Sequence, residues 1–152
     1  MKSEFYELLS KDNDFCQALG RLMLVASKLE VLIKQYLRLQ GKEVSERQAT
    51  LGNLIKLLKK KNHLTKNGEM LFQQANMQRN YLIHNLFASF ENEIEHNLLP
   101  VEDLVEMDVF VYTQQVEVSI EDFTSYCEIV SEGIDKHNKN SQKDAAEAAP
   151  LL

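Results

Sequence analysis

The densest group of side chains able to do chemistry lies in Gln78-Arg79-Asn80-Tyr81-Leu82-Ile83-His84-Asn85-Leu86-Phe87, where Arg, Asn and His interrupt an otherwise apolar run. At about 100° per residue, Asn80 and His84 fall one turn apart on one helical face, with Arg79 about 140° around the axis from His84. One helix cannot bring Arg79 and His84 onto the same atom, whereas two copies around a two-fold axis can each supply an Arg and a His. Imidazole can take a proton from a ribose 2′-OH or return one to a departing 5′-oxygen near neutral pH. A guanidinium can clamp phosphate oxygens and stabilise charge developing on a phosphorane. Asn80 can hold the imidazole in one tautomer or contact phosphate itself. This chemistry needs no metal or other cofactor. The same residues also fit a purely structural role, with Arg79 braced against Glu30 or an acidic helix and His84 half-buried and hydrogen-bonded.

The apolar periodicity around this segment is helical throughout. Phe15, Leu19, Leu22, Ala26, Leu29, Ile33 and Tyr36 alternate at spacings of four and three, which predicts a helix from about Asp14 to Gln40. Asp12 or Asp14 can cap its start and Gly41 can end it. Phe5, Leu8 and Leu9 predict a short helical turn before it. A shorter helix is expected from about Thr50 to Lys61, with Leu51, Leu54, Ile55 and Leu58 inward and Lys56, Lys59, Lys60 and Lys61 near its cation-favouring end. The third, from about Thr65 to Glu93, carries the Arg/Asn/His segment and would bury Leu71, Ala75, Leu82, Leu86 and Phe90. Pro100 marks the first residue of the last helix. From there Val101, Val105, Val109, Tyr112, Val116, Ile120, Phe123, Cys127, Val130 and Ile134 recur every three or four residues. The β-branched stretch Val109–Val118 also allows a pair of strands, and Ser119 with Asp122 allows a restart after a kink.

These elements predict an all-α antiparallel four-helix bundle over residues 1–137, followed by a flexible tail over 138–152. Composition agrees with that class. Of the 152 residues, 44% are apolar and 26% charged, and five Gly with two Pro are too few for a turn-rich β domain. The longest apolar run, Leu22–Ala26, is far too short for a membrane span, so no membrane partner is expected. Two distant cysteines, Cys16 and Cys127, exclude a disulfide scaffold and fit a cytoplasmic location. The formal charge of −6 is unevenly distributed. Residues 1–84 hold 14 Lys and Arg against 8 Asp and Glu, whereas residues 85–152 hold 3 against 15. Such a chain does not coat nucleic acid indiscriminately, although a local basic face in the first half remains available. Lys59, Lys60 and Lys61 are the candidate contacts to an RNA backbone, or else a solvated helix end. Glu93 and His96 have the Glu-x-x-His spacing of di-iron bundles, but no second copy exists, so no metal site is expected.

The segment Arg79-Asn80-Tyr81-Leu82-Ile83-His84 resembles the HEPN superfamily of small helical proteins. Its signature is an Arg, usually followed by a polar residue such as Asn, with a His after four to six intervening residues. The likeness extends loosely over the helical layout from Asp14 to about Asp135. It includes Glu30, where many members carry an acidic residue on the first long helix. The resemblance implies a homodimer with a composite site at its interface and a metal-independent endoribonuclease that leaves a 2′,3′-cyclic phosphate. It assigns catalysis to Arg79, Asn80 and His84, and a role in toxicity or phage defence, with a cognate antitoxin or regulatory protein as partner. Other members are catalytically silent and act as nucleotide-, RNA- or protein-binding modules. Some toxin members carry a Tyr two residues after the His, a target of nucleotide transfer by the antitoxin. Here that position is Leu86.

Overall fold

A computed structural model describes residues 2–45, 47, 50–61, 63–80 and 101–147; for 2–6, 101–108 and 145–147 the description is of the helical backbone only. Among the described residues there are five helices and no strand: α1 (Lys2–Lys11), α2 (Asn13–Leu39), α3 (Leu51–Lys60), α4 (Lys66–Asn80) and α5 (Val101–Glu147). The all-α expectation holds.

Local signals set the helix ends. Asp12 is the residue that caps α2, its carboxylate accepting the Phe15 N–H at 2.7 Å, while its own N–H closes α1 on the Leu8 carbonyl. At the other end, Gly41 takes φ +78°, its N–H bonds Arg38 O and the Lys42 N–H bonds Leu37 O. This is the Schellman arrangement, which needs a left-handed residue that glycine adopts without steric cost. Thr50 caps α3 through its hydroxyl. Pro100 lies outside the described residues; α5 is described from Val101 and passes through 109–118 as uninterrupted helix, so neither strands nor a restart occur. Thr113 Oγ1 and Ser119 Oγ donate back to the carbonyls four residues earlier, Val109 O and Gln115 O. Ser119 therefore serves its own helix instead of capping a new one.

The direction in which the helices run corrects the expected antiparallel arrangement. Cys127 Sγ donates to Val25 O at 3.7 Å, the Tyr36 ring lies over Gly133, and Gln40 Nε2 sits 3.3 Å from His137 Nδ1. Both numbers rise together, so the two long helices are parallel. Phe72 meets Tyr126 while Gln78 bonds Asp122, which makes α4 antiparallel to α5. Gly52 against Asn76 and Lys59 against Glu69 make α3 antiparallel to α4. At Gly52 a β-carbon would stand 3.3 Å from Asn76 Nδ2, so glycine permits this close approach.

The core forms where the predicted stripes meet. Phe15, Leu22, Ala26, Leu29 and Ile33 of α2 pack with Leu51, Leu54, Ile55 and Leu58 of α3 and with Val109, Tyr112, Val116, Phe123, Cys127, Val130 and Ile134 of α5. Each fully buried Leu or Ile contributes about 1.5–3 kcal/mol of transfer free energy. On α4 the expectation is half right. Ala75 is buried, but Phe72 takes the inward place and Leu71 is exposed. Leu82, Leu86 and Phe90 lie outside the described residues.

The expected tail also changes form. Gln40 and His137 stand side by side, so the last residues of α2 are level with about residue 136, and α5 runs on to Glu147. That leaves roughly 16 Å of helix beyond the end of α2 at 1.5 Å per residue. Residues 138–144 are exposed and still helical.

Two outcomes test this core. Phe123→Ala removes a fully buried ring at the α2–α5 seam and should lower the urea-measured unfolding free energy by about 3–5 kcal/mol. Burial, opposed by Lys28 and aided by Glu128, raises the Cys127 thiol above its ordinary range. The unfolded chain then ionises first, so this contribution is complete at neutral pH and is lost as pH rises through the raised value. Unfolding free energy measured above the ordinary thiol range should fall less steeply with pH in Cys127→Ala than in the wild type.

Candidate functional site

Consecutive residues of α4 reach two different helices. Gln78 Nε2 donates to Asp122 Oδ2 of α5 at 2.9 Å, and Arg79 Nε lies 3.3 Å from Glu30 Oε1 of α2. Neighbours on a helix point about 100° apart, so a helix seated over the α2–α5 seam can hold both at once. The Arg79 and Glu30 side chains are only 24% and 20% exposed. Their partial burial makes the pair more consequential than a solvated ion pair, whose contribution is near zero to 1 kcal/mol.

The seam is polar but incompletely bonded. Glu30 Oε1 and Gln78 Oε1 are both buried without a hydrogen-bond donor; the Arg79–Glu30 contact is close enough for an ion pair but not aligned as a hydrogen bond. A buried acceptor left in this state costs about 1–3 kcal/mol. The guanidinium has five N–H donors and meets Glu30 through Nε. Below the seam, burial and the Asp122 carboxylate push the Tyr126 phenol above its ordinary range, so it stays neutral under Gln78 and Asp122.

The structure places the expected site residues unequally. Arg79 and Asn80 are the last described residues of α4, both partly buried. Glu30 stands against Arg79, which realises the bracing contact that the sequence allowed. His84 lies outside the described residues, as do Glu93 and His96. Lys59 is paired with Glu69 across the α3–α4 turn, and Lys60 and Lys61 are exposed beside it. Ten residues of α4 separate Glu69 from Arg79, about 15 Å along the axis. The lysine cluster and Arg79 therefore lie far apart along α4. Among the described residues no group of three or more His, Cys, Asp or Glu is placed to hold a metal ion, and no helix is long and apolar enough to cross a membrane.

Sequence reasoning missed Gln78 and Asp122. Gln78 was visible only as one more polar residue in the run, and Asp122 suggested a cap. Nothing in either position announces a partner 44 residues away. Comparison with family models, curated proteins and solved structures finds no match to this chain.

A double-mutant cycle should resolve the seam. Glu30→Ala and Arg79→Ala are expected to couple by about 1 kcal/mol in urea unfolding, between solvated and fully buried pairs. Coupling indistinguishable from zero would mean that Glu30 does not position Arg79.

Proposed function

We propose that this chain is a HEPN-like metal-independent endoribonuclease, of the toxin or phage-defence type, acting in the cytoplasm as a homodimer with a composite site. The observation that supports the reading is the placement of Arg79. The guanidinium is partly buried, oriented by Glu30, and followed on the chain by Asn80 and His84. A preset cation next to a polar residue and an imidazole is the minimum needed to break a phosphodiester by internal transesterification.

The ribose 2′-oxygen attacks the adjacent phosphorus as one His84 takes its proton. The bond to the 5′-oxygen breaks, and the partner's His84 protonates that leaving group. The products are a 2′,3′-cyclic phosphate and a free 5′-hydroxyl. Arg79 neutralises charge on the non-bridging oxygens, and Asn80 orients the imidazole or a phosphate oxygen. Two chains supply the two imidazoles that the two proton transfers need.

A second reading belongs to a different class. The Arg79–Glu30 pair ties α4 to α2, and an arginine with that task suits a catalytically silent module that binds nucleotide, RNA or protein. The deciding experiment incubates the purified protein with end-labelled single-stranded RNA in excess EDTA. Cleavage to cyclic-phosphate ends is expected, with His84→Ala and Arg79→Ala each reducing the rate at least about a hundredfold. The His84→Ala melting temperature should stay within a few degrees of the wild type. RNA binding without cleavage in the wild type would favour the silent module.

A further inference from the structure

The α3–α4 hairpin is strongly basic. From Arg47 to Asn80 there are seven Lys and Arg and a single acidic residue, Glu69, which Lys59 engages. Arg79 is engaged by Glu30 of α2. Lys56, Lys60, Lys61 and Lys66 are exposed, and no carboxylate in that stretch remains to pair with them. Residues 41–46 add Lys42 against Glu43 and Glu46, which leaves the excess positive.

Helix geometry draws part of this charge into a row. Leu51, Leu54, Ile55 and Leu58 of α3 point into the core, while Gly52 and Lys59 face α4. Asn53, Lys56 and Lys60 are therefore the outward residues, all exposed and spaced by three and four on one stripe about 10 Å long. One end of the row begins beside Gly52, which lies against Asn76, three residues before Arg79. The other end reaches Lys61. The row thus bridges most of the separation between the lysine cluster and Arg79.

Its side chains select among anionic partners. A helix face that binds a bilayer inserts apolar residues, and protein interfaces draw their energy from aromatic and apolar anchors. This row exposes neither. Lysines and an amide in the open serve phosphate oxygens, which accept charge and N–H donors without apolar burial. A single line of cations matches one strand, whereas a duplex presents two rows of phosphates.

We infer that Asn53, Lys56, Lys60 and Lys61 form a track for the phosphate backbone of single-stranded RNA, leading along α3 toward Arg79. The track rests on the ribonuclease reading for its ligand and its direction, and it replaces Lys59, which Glu69 occupies, with Lys56.

The test uses the full chain and a fluorescein-labelled oligouridine of about 12 nucleotides with 2′-O-methyl riboses, which cannot be cut through the 2′-oxygen. Fluorescence anisotropy across a salt titration should show wild-type binding, with log K falling linearly with log salt. Lys56→Ala/Lys60→Ala should weaken binding at least about tenfold at low salt. It should also reduce the steepness of the slope by about 1.4, since each single-strand phosphate contact contributes about 0.7. Lys136→Ala/Lys139→Ala, at exposed positions of α5, removes the same charge elsewhere and should bind as the wild type does. Circular dichroism verifies that both variants fold. Absence of wild-type binding, an unchanged slope in Lys56→Ala/Lys60→Ala, or equal weakening by the two pairs would overturn the inference. So would a Lys56→Ala/Lys60→Ala variant that loses binding to phosphatidylserine vesicles but not to RNA, since a membrane would then own the face. The expected pattern in a wild type that leaves unmodified RNA intact supports the track and removes only the ribonuclease reading.

Discussion

The seat of α4 over the parallel pair α2 and α5 is the constraint from which the candidate chemistry follows. Apolar contact alone would leave α4 loosely specified, because Phe72 and Ala75 are its buried side chains among the described residues. The adjacent bonds of Gln78 to Asp122 and of Arg79 to Glu30 give it a rotation and a register. A turn of about 100° in either direction would break both. The same rotation aims Arg79 into a partly buried seam and leaves Met70 and Met77 outward. Polar specificity here does what a wider apolar stripe does on α2, at the cost of two buried acceptors without donors.

The parallel course of α2 and α5 explains why there is room for such a seam. Two adjacent helices joined by a short loop must be antiparallel, but α2 and α5 are separated by α3, α4 and residues 81–100. Their inward stripes are long and apolar, and they meet from Ala18 and Val109 near the start of α2 to Tyr36 and Gly133 near its end. The groove on one side of this pair is covered by α3 and α4. On the other side, Arg21 and Gln17 of α2 face Thr113, Gln114 and Glu117 of α5 around an open cavity of about 410 Å³. The asymmetry confines the partly buried Arg79–Glu30 pair to the covered side.

Periodicity made the individual helices legible. Seven inward residues on α2, an Asp before it and a glycine after it place its ends within a residue or two, because caps and stripes are local properties. The unbroken phase through Val109–Val118 likewise outweighed β-branching, since a residue's burial is decided by its partner across the seam as much as by its own propensity. Direction was not legible, because an apolar stripe reads the same for parallel and antiparallel neighbours. The exchange of Leu71 for Phe72 on α4 has a similar origin. Adjacent apolar residues leave the stripe ambiguous by about 100°, and the Gln78 and Arg79 bonds settle it from another part of the chain. At the candidate site, Arg79, Asn80 and Glu30 were readable as residue types, whereas the contact joining Arg79 to Glu30 depends on how two helices sit.

The charge distribution connects the two surfaces on α4. Positive charge collects at its N-terminal end, where exposed Lys60 and Lys61 flank the Lys59–Glu69 pair; negative charge collects along the outer side of α5. Arg79 lies between them as a cation held by one carboxylate, with a second carboxylate, Asp122, one helix away and occupied by Gln78. If Asp122 instead faced Arg79, two acidic groups would surround one guanidinium and repel any anion brought to it. Gln78 therefore has an electrostatic consequence beyond its bond: it engages the nearer α5 carboxylate with a neutral amide and leaves the Arg79–Glu30 pair balanced. A balanced pair can still turn its remaining N–H groups toward phosphate, whereas an overneutralised one cannot. The position before the arginine is thus a determinant of what that arginine can bind, through the carboxylate it keeps occupied.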